Sequence, residues 1–258
     1  MNVTTIILAK NEETVIERAI ISAKSFSDAI LVIDNESTDA TAAKATAAGA
    51  KVLPHALNDD FSQQRNWAME QSQNNWVLFV DADEVVSPEL ANEIRSLNPE
   101  KVKTISMFYI PRVDFWLGKP VTHGEVYHAS STGFGRLVQK GTGVWQGTVH
   151  ETWKVHKGIQ EHMKHSLQHY PHPTVKEFLD DVNYYSTVRA KELFAAQKTV
   201  SVFEIWAYPL GKFIVSYFFL LGFLDGVPGF IYSFMMSFHS FLVRSKLYQY
   251  YHISAPVA

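Results

Sequence analysis

Trp76-Val77-Leu78-Phe79-Val80-Asp81-Ala82-Asp83-Glu84 decides the architecture. Five apolar residues run unbroken and then give way to acids. Alternation would mark a strand with one wet face; an unbroken run suits a strand buried on both faces of a parallel sheet. Asp81-Ala82-Asp83 therefore falls at the C-terminal end of the strand, and ligands of open α/β sheets bind in the crevice there. Two carboxylates two residues apart suit a divalent cation, Mg²⁺ or Mn²⁺, held against a diphosphate, because both ions prefer oxygen ligands and phosphates complete the shell. A bare Asp-x-Asp also occurs as a solvated acidic turn before a helix, so its neighbours have to decide.

Working outward, Val3 to Ala9 and Ala29 to Ile33 have the same strand texture, and Lys51 to Leu53 is a weaker copy. Helical patterns lie between them at Glu13 to Ser25, Ala40 to Ala48 and Ser62 to Gln73. This alternation predicts an α/β doubly wound layer. Ser87-Pro88-Glu89 reads as an N-cap, a first-turn proline and a first-turn acid, opening a helix to about Leu97. The first strand ends in Ala9-Lys10-Asn11-Glu12 and the second in Asp34-Asn35-Glu36-Ser37-Thr38-Asp39, on the same sheet edge as Asp81. Carboxylates there suit ribose hydroxyls or a base N–H. Asn11, Ser37, Thr38 and Asp39 also make good N-caps, and both roles are compatible because helix N-termini favour phosphate. No G-x-G-x-x-G follows the first strand, which argues against a dinucleotide-binding domain.

The chain has 258 residues, 47% hydrophobic, with net charge −3. That length buries a substantial core, as one large domain or one domain with an appendage. The balance lacks the basic excess of a nucleic-acid binder. With no cysteine, disulfides, thiolate metal sites and a cysteine nucleophile are excluded. The N-terminus has no basic n-region and its apolar run stops at Lys10, so no secretory signal is expected and a cytoplasmic location is the default.

After Pro99 the texture loosens. Thr104 to Ile110 and Gly133 to Gln139 predict strands in a less regular half, to about His172, where acceptor loops would sit. Pro171-His172-Pro173 is a breaker, and Thr174 to Gln197 predicts a long helix with a Thr174/Glu177 capping box. Six of the eleven histidines lie between His150 and His172, but their spacing matches no zinc signature; His169 is a candidate for the donor phosphates or the metal. Phe213 to Leu224 is apolar and aromatic, interrupted by Asp225-Gly226, and Gly226 to Val243 carries no Asp, Glu, Lys or Arg. The first run is too short to span a bilayer and the second is marginal. Three readings stand: a core helical layer, a spanning hairpin, or an in-plane membrane anchor with Trp206, Tyr208, Tyr248, Tyr250 and Tyr251 at headgroup level and Lys212, Arg244 and Lys246 meeting anionic lipid. The interruption favours the in-plane anchor. The expected division is residues 1–200 (a nucleotide-sugar half, 1–100, and an acceptor half, 101–172) and an apolar helical extension, 201–258.

Four motifs in register, Ile7-Leu8-Ala9-Lys10-Asn11-Glu12, Val32 to Asp39, Gln64-Arg65-Asn66 and Val80-Asp81-Ala82-Asp83-Glu84, resemble the family 2 glycosyltransferases. Gly147-Thr148-Val149-His150-Glu151 and the aromatic tail around Gly222 to Gly226 are similar to the lipopolysaccharide core β-1,4-glucosyltransferases of Gram-negative bacteria. The resemblance implies a GT-A fold, a Rossmann-like nucleotide-sugar-binding sheet flanked by helices, with a C-terminal aromatic-rich helical extension. It implies an inverting, metal-dependent transfer of one hexose, glucose from UDP-glucose, to a lipopolysaccharide inner-core sugar, by an enzyme on the inner face of the cytoplasmic membrane. By position it assigns Asp34 to the base, Glu12 near ribose and base, and Arg65 to base or diphosphate. Asp81 faces the ribose, Ala9, Asn11 and Ala82 line the nucleotide sugar, Asp83 holds the Mg²⁺ or Mn²⁺, and Glu151 is the general base. Many relatives carry an acidic pair where this chain has His150-Glu151, so the base is Glu151 alone or Glu151 sharing the proton with His150. The Q-x-x-R-W motif of processive synthases is missing, which favours single-sugar transfer. Polyprenyl phosphate or another surface glycan is the alternative acceptor. A non-catalytic nucleotide-sugar binder is the alternative of another class. A nucleotidyltransferase would want a glycine- and lysine-rich phosphate loop that Ala9 to Glu12 does not supply.

Overall fold

The computed structural model describes residues 1–58, 60–147, 151–171 and 174–253. Its elements in chain order are β1 (Val3–Ala9), α1 (Ile16–Ala23), β2 (Ala29–Asp34), α2 (Thr41–Ala47), β3 (Lys51–Pro54), α3 (Phe61–Gln71), β4 (Trp76–Asp81), β5 (Glu84–Val86), α4 (Pro88–Ser96), β6 (Ile105–Ile110), β7 (Arg112–Trp116), β8 (Lys119–Val121), α5 (Tyr127–Ser131), β9 (Phe134–Gln139), β10 (Gly143–Gln146), β11 (Thr152–Val155), β12 (Ile159–His162), β13 (Leu167–His169), α6 (Val175–Ala195), α7 (Val202–Ile214) and α8 (Gly226–His252). They form two compact units, residues 1–113 with 129–169, and residues 114–128 with 170–258. This division differs from the expected one at residue 200. α6 clusters with the C-terminal helices because it buries Phe178 and Val182 with Met235 of α8.

The first unit is the expected GT-A layer, a seven-stranded sheet ordered β12-β6-β9-β4-β1-β2-β3. β1 pairs in parallel with β2 and with β4, and β2 in parallel with β3. The chain runs outward through β1, β2 and β3, then returns to the other side of β1 as β4. That reversal is a topological switch point, where a crevice opens beyond the strand ends. Register brings the key residues level: Ala9 pairs with Asp34, and Leu8 with Asp81.

Both faces of the sheet are covered, which is why its strands read as apolar runs. Ile7, Val32, Leu78 and Val80 pack with Ile16 and Ile20 of α1 and Leu90 and Ile94 of α4. Ile6, Ile33, Val77 and Phe79 pack with Ala68 and Met69 of α3 and with Trp145 and Trp153 of the antiparallel pair β10–β11. Complete burial of a side chain such as Ile or Phe stabilises by about 1.5–3 kcal/mol. Ser87 caps α4 as read, accepting from the Leu90 N–H at 3.2 Å.

In the second unit, β7 turns back on β8 through Leu117 and Gly118, both with positive φ. Two such residues form the two-residue turn that matches strand twist. Trp116 and Val121 pack with Phe178 and Val182 of α6 and Met235 of α8. The Thr174/Glu177 capping box is present, and α7 opens with a second one, Ser201/Glu204. A π-helical turn, Val215–Phe219, and a 3₁₀ turn, Gly222–Asp225, connect α7 to α8. α8 approaches the 3₁₀ turn so closely that a Cβ on Gly229 would lie 2.0 Å from the Gly222 carbonyl oxygen. Asp225 is an anchor, not a bare interruption: its carboxylate accepts from the N–H groups of Thr122 (2.9 Å) and His123 (2.7 Å) and meets the His123 ring at 2.8 Å.

Candidate active site

The C-terminal ends of β1, β2 and β4 share one edge of the first unit, and the acids expected there are present. Between β1 and β2 the loops interlock. The backbone N–H groups of Asn11, Glu12 and Glu13 donate to Ser37 Oγ (2.9 Å), Thr41 Oγ1 (2.7 Å) and Asp39 (3.2 Å), while Asn11 Oδ1 accepts from the Thr38 N–H at 2.8 Å. Asn11, Ser37 and Thr38 therefore do not cap helices: α1 has Val15 at its N-cap and α2 has Ala40. Asp39 comes nearest to the expected role, accepting from the Thr41 N–H at 2.9 Å. Asn11 and Glu36 adopt φ of 57° and 55°, left-handed values that suit tight strand-end turns.

Charge is organised around Asp81. Arg136, from β9, makes a two-pronged contact to its carboxylate at 3.1 and 2.6 Å, and Arg65 Nη2 lies 3.6 Å away. Arg136 also donates to Glu84 at 3.0 Å, Arg112 Nη1 lies 3.8 Å from Glu84, and Glu84 in turn accepts from the Asp81 N–H at 2.9 Å. From the other side Arg65 Nε donates to Glu151 at 2.5 Å. One connected network thus runs Glu151–Arg65–Asp81–Arg136–Glu84–Arg112. Burial alone would raise the Asp81 carboxyl; the charge and hydrogen bonds of Arg136, then Arg65 and Arg112, reverse this and hold it well below the usual carboxylate range. Burial raises the fully enclosed Glu84, with Arg136 opposing and Asp81 adding.

The Gln64-Arg65-Asn66 motif on α3 now has a division of labour. Gln64 donates to the His55 carbonyl at 2.9 Å, holding the loop after β3. Arg65 lies over the rings of Phe79 and Trp145, at 4.8 and 5.1 Å. Asn66 clamps β10 by donating to the Trp145 carbonyl and accepting its N–H. The His55 ring stacks on Trp67 at 3.9 Å, and its backbone N–H donates to the Asp34 carbonyl. Asp34 Oδ1, His55 Nδ1 and Arg65 Nη1 are buried without a hydrogen-bond partner. Buried polar atoms are rarely left unsatisfied, so these three suit a polar ligand.

Asp83 stands apart from the arginines. It meets His169 Nε2, on β13, at 3.1 Å; His169 reaches it because β13 pairs antiparallel with β5, aligning His169 with Glu84. Burial raises the Glu12 carboxyl to about 7, with Asp83, Asp39 and Asp81 adding to the rise. Negative charge is therefore under-compensated on the Asp83 side. Among the described residues no cluster of three metal-type ligands occurs. The donors fit a hard divalent cation that takes one carboxylate here and most of its remaining shell from phosphate and water. His150 and His172 lie outside the described residues.

Arg136, Arg112 and His55 were not singled out in the sequence. Arg136 carried a usable signal, since a cation in the middle of a predicted buried strand must have an anionic partner.

A strand-end acidic edge with buried unsatisfied polar atoms at a topological switch point marks an α/β fold with a candidate polar-ligand site. The description of glycosyl transferase family 2 matches residues 4–115. A glycosyltransferase of Rickettsia typhi, itself uncharacterised, is 30% identical over 95% of this chain and 86% of its own length. The lipopolysaccharide core biosynthesis glycosyltransferase LpsC of Rhizobium meliloti is 26% identical over 96% and 93%. Among solved structures, TarS residues 1–349 of S. aureus covers 98% of this chain and 92% of its own, with 12% identity and a TM-score of 0.49. The chain belongs to the family 2 glycosyltransferases.

Proposed function

We propose that this glycosyltransferase moves one hexose, glucose from UDP-glucose, onto an inner-core sugar of lipopolysaccharide with inversion at the anomeric carbon. The observation that carries the reading is the Glu151–Arg65–Asp81 chain. It joins the candidate base to the strand-end carboxylates through a single guanidinium, 2.5 Å from Glu151 and 3.6 Å from Asp81. Asp34 takes the base edge, Glu12 and Asp81 the ribose, with Ala9, Asn11 and Ala82 lining the pocket. Asp83, with His169 beside it, holds the Mg²⁺ or Mn²⁺. When bound, that cation neutralises the charge of the departing diphosphate.

Glu151 accepts the proton of the acceptor hydroxyl as the hydroxyl attacks the face opposite the diphosphate. The anomeric carbon is then oxocarbenium-like, and inversion needs no covalent intermediate. Arg65 holds Glu151 in place until substrate arrives. The acceptor class draws support from the likeness to LpsC.

A lipid-linked acceptor favours a protein held at the inner face of the membrane. Phe203, Trp206, Phe218, Phe219, Leu224 and Val227 are exposed, Phe219 by 75% and Val227 by 68%. Gly222–His252 is long and apolar enough to cross a bilayer, but α8 lies against α6. That helix carries Lys176, Asp180, Asp181, Lys191 and Glu192 and is costly to immerse. An in-plane placement follows. One expected lipid contact is corrected: the Lys246 ammonium is committed to Asn183, Ser186 and Thr187 at 2.7–2.8 Å, tying α8 to α6.

A panel of nucleotide sugars offered with Mn²⁺ and a lipid-A-linked core acceptor tests the reading. UDP release on UDP-glucose, dependent on the acceptor, is expected. Turnover with another acceptor class alone overturns the lipopolysaccharide assignment.

A further inference from the structure

The second unit contains a cleft of about 790 Å³ lined by α6, α7, the π-helical turn and α8. Pockets of this size, roughly 300–1,000 Å³, hold whole small ligands. It lies in the second unit, none of the strand-end carboxylates lines it, and the donor reading leaves it without a task. Most of its wall is apolar, from residues such as Val215, Leu220 and Val243, but three cations line it: Arg189, Lys212 and Arg244. One lining carboxylate, Glu125, offsets them, bound to Lys212 at 2.7 Å.

Arg244 is the informative cation. Its guanidinium lies 3.8 Å over the Tyr208 ring, and its Nη1 donates to the Ser240 carbonyl (3.2 Å) and Oγ (2.7 Å). Among the described residues no carboxylate comes within ion-pair distance of it. The nearby acid, Glu204, accepts from the Ser201 N–H and hydroxyl, at 2.7 and 2.8 Å, and reaches Arg244 through its charge alone. Burial lowers the proton affinity of Arg244, as expected for a cation partly stripped of water before its partner arrives. His239, also in the wall, is pushed down by burial and by Lys212.

We infer that this cleft binds the phosphate headgroup of one anionic glycerophospholipid, with Arg244, Arg189 and Lys212 on the phosphate and the acyl chains leaving over the exposed apolar face of α7 and the π-helical turn. Charge complementarity selects an anion. A planar guanidinium already oriented by Ser240 and Tyr208 matches phosphate geometry. The lipid source is chosen over a free phosphate because the wall is mainly apolar and Leu210, Ile214, Val215 and Phe218 are exposed around it. This rests on the membrane placement above and deepens it: attachment is not merely a greasy face plus diffuse charge but one stoichiometric lipid site.

The test uses the full chain with vesicles of phosphatidylcholine, with and without phosphatidylglycerol, and dihexanoyl-phosphatidylglycerol below its micelle threshold as a soluble probe. Arg244→Gln, and separately Arg189→Gln on an exposed side chain paired with Glu192, are each expected to weaken binding to phosphatidylglycerol vesicles by about fivefold. Binding to pure phosphatidylcholine should stay the same, and the soluble probe should titrate at one per native chain. Phe218→Ser/Phe219→Ser should weaken binding to both vesicle types. If both arginine variants match the native chain on phosphatidylglycerol while the phenylalanine variant fails, the cleft assignment falls and membrane attachment stands. If the native chain binds neither vesicle, the membrane reading itself falls. If inorganic phosphate or glycerol phosphate binds as tightly as the dihexanoyl lipid, the site is for a free phosphate and the lipid commitment is overturned.

Discussion

The two units use apolar residues in opposite ways. In the first, Ile6, Ile7, Val32, Leu78 and Phe79 are fully buried, and polar groups gather at one sheet edge. In the second, α7, the π-helical turn and α8 expose Phe203, Trp206, Phe219 and Val227, while Ser216, Ser233, Ser237 and Ser240 are buried. Small residues there allow close helix approach, as at Gly222 and Gly229, and the buried hydroxyls bond within the unit: Ser216 to Ser233 at 3.1 Å, Ser237 to the Pro209 carbonyl at 2.7 Å. One unit puts its aromatic and aliphatic surface inward and positions chemistry; the other turns much of it outward and offers a surface.

The largest effect should come from the acidic edge. Glu151→Gln is expected to cut turnover by about 10²–10⁴-fold, the range for losing a general base, while UDP-glucose affinity stays near native. Stopped turnover assays paired with calorimetric titration check this. A variant that turns over normally places the base elsewhere and breaks the division between the units.

Arg136→Met should be the most damaging change to stability. It leaves the enclosed Glu84, and the partly exposed Asp81, without their main counter-charge, and removing one partner of a buried ion pair such as Arg136–Glu84 costs about 3–5 kcal/mol. Urea unfolding would reveal it. A loss no larger than that of an exposed pair such as Lys176–Asp180 would show that solvent, not Arg136, carries those carboxylates.

A smaller effect separates by pH. The folded-state pKa of Glu12 is raised to about 7, so its ionisation destabilises the fold progressively as pH climbs from its ordinary value through that point. Glu12→Gln removes that cost. Its melting temperature should exceed native at about pH 8.5 and approach it at about pH 4, below the ordinary value. A gain equal at both pH values would contradict the crowding of Glu12 by Asp83, Asp39 and Asp81.

Least visible in solution should be Phe218→Ser/Phe219→Ser. Phe218 and Phe219 are exposed, and surface changes usually stay within about 0.5 kcal/mol. The melting temperature should hardly move. A drop of several degrees would mean these rings are packed, and the outward texture of the second unit would be misread.

The same contrast explains what the sequence disclosed. β1 runs over the expected residues, and β2, β3, β4 and α4 lie within a residue or so of them, because strands covered on both faces cannot hide their apolar runs. Asp34 and Asp81 were legible because they end such runs. Arg136 and His169 were harder: each reaches the edge through a strand pairing, β9 on β4 and β13 on β5, that no local pattern encodes. The capping role read for Asn11, Ser37 and Thr38 went instead to loop interlocking, a contact between segments about 26 residues apart. In the second unit composition flagged aromatics and cations, but which cation faces a partner depends on helix packing. Lys246 is consumed by α6, whereas Arg244 lines the cleft.

We propose above that the strand-end edge of the first unit is a cation-assisted donor site with Asp83 as the protein's metal ligand. UDP release from UDP-glucose, measured with and without Mn²⁺ in the native chain and in Asp83→Ala, tests it most directly. The account predicts Mn²⁺-dependent release in the native chain and near-complete loss in the variant at any Mn²⁺ level. Release that proceeds without metal and survives Asp83→Ala would contradict it.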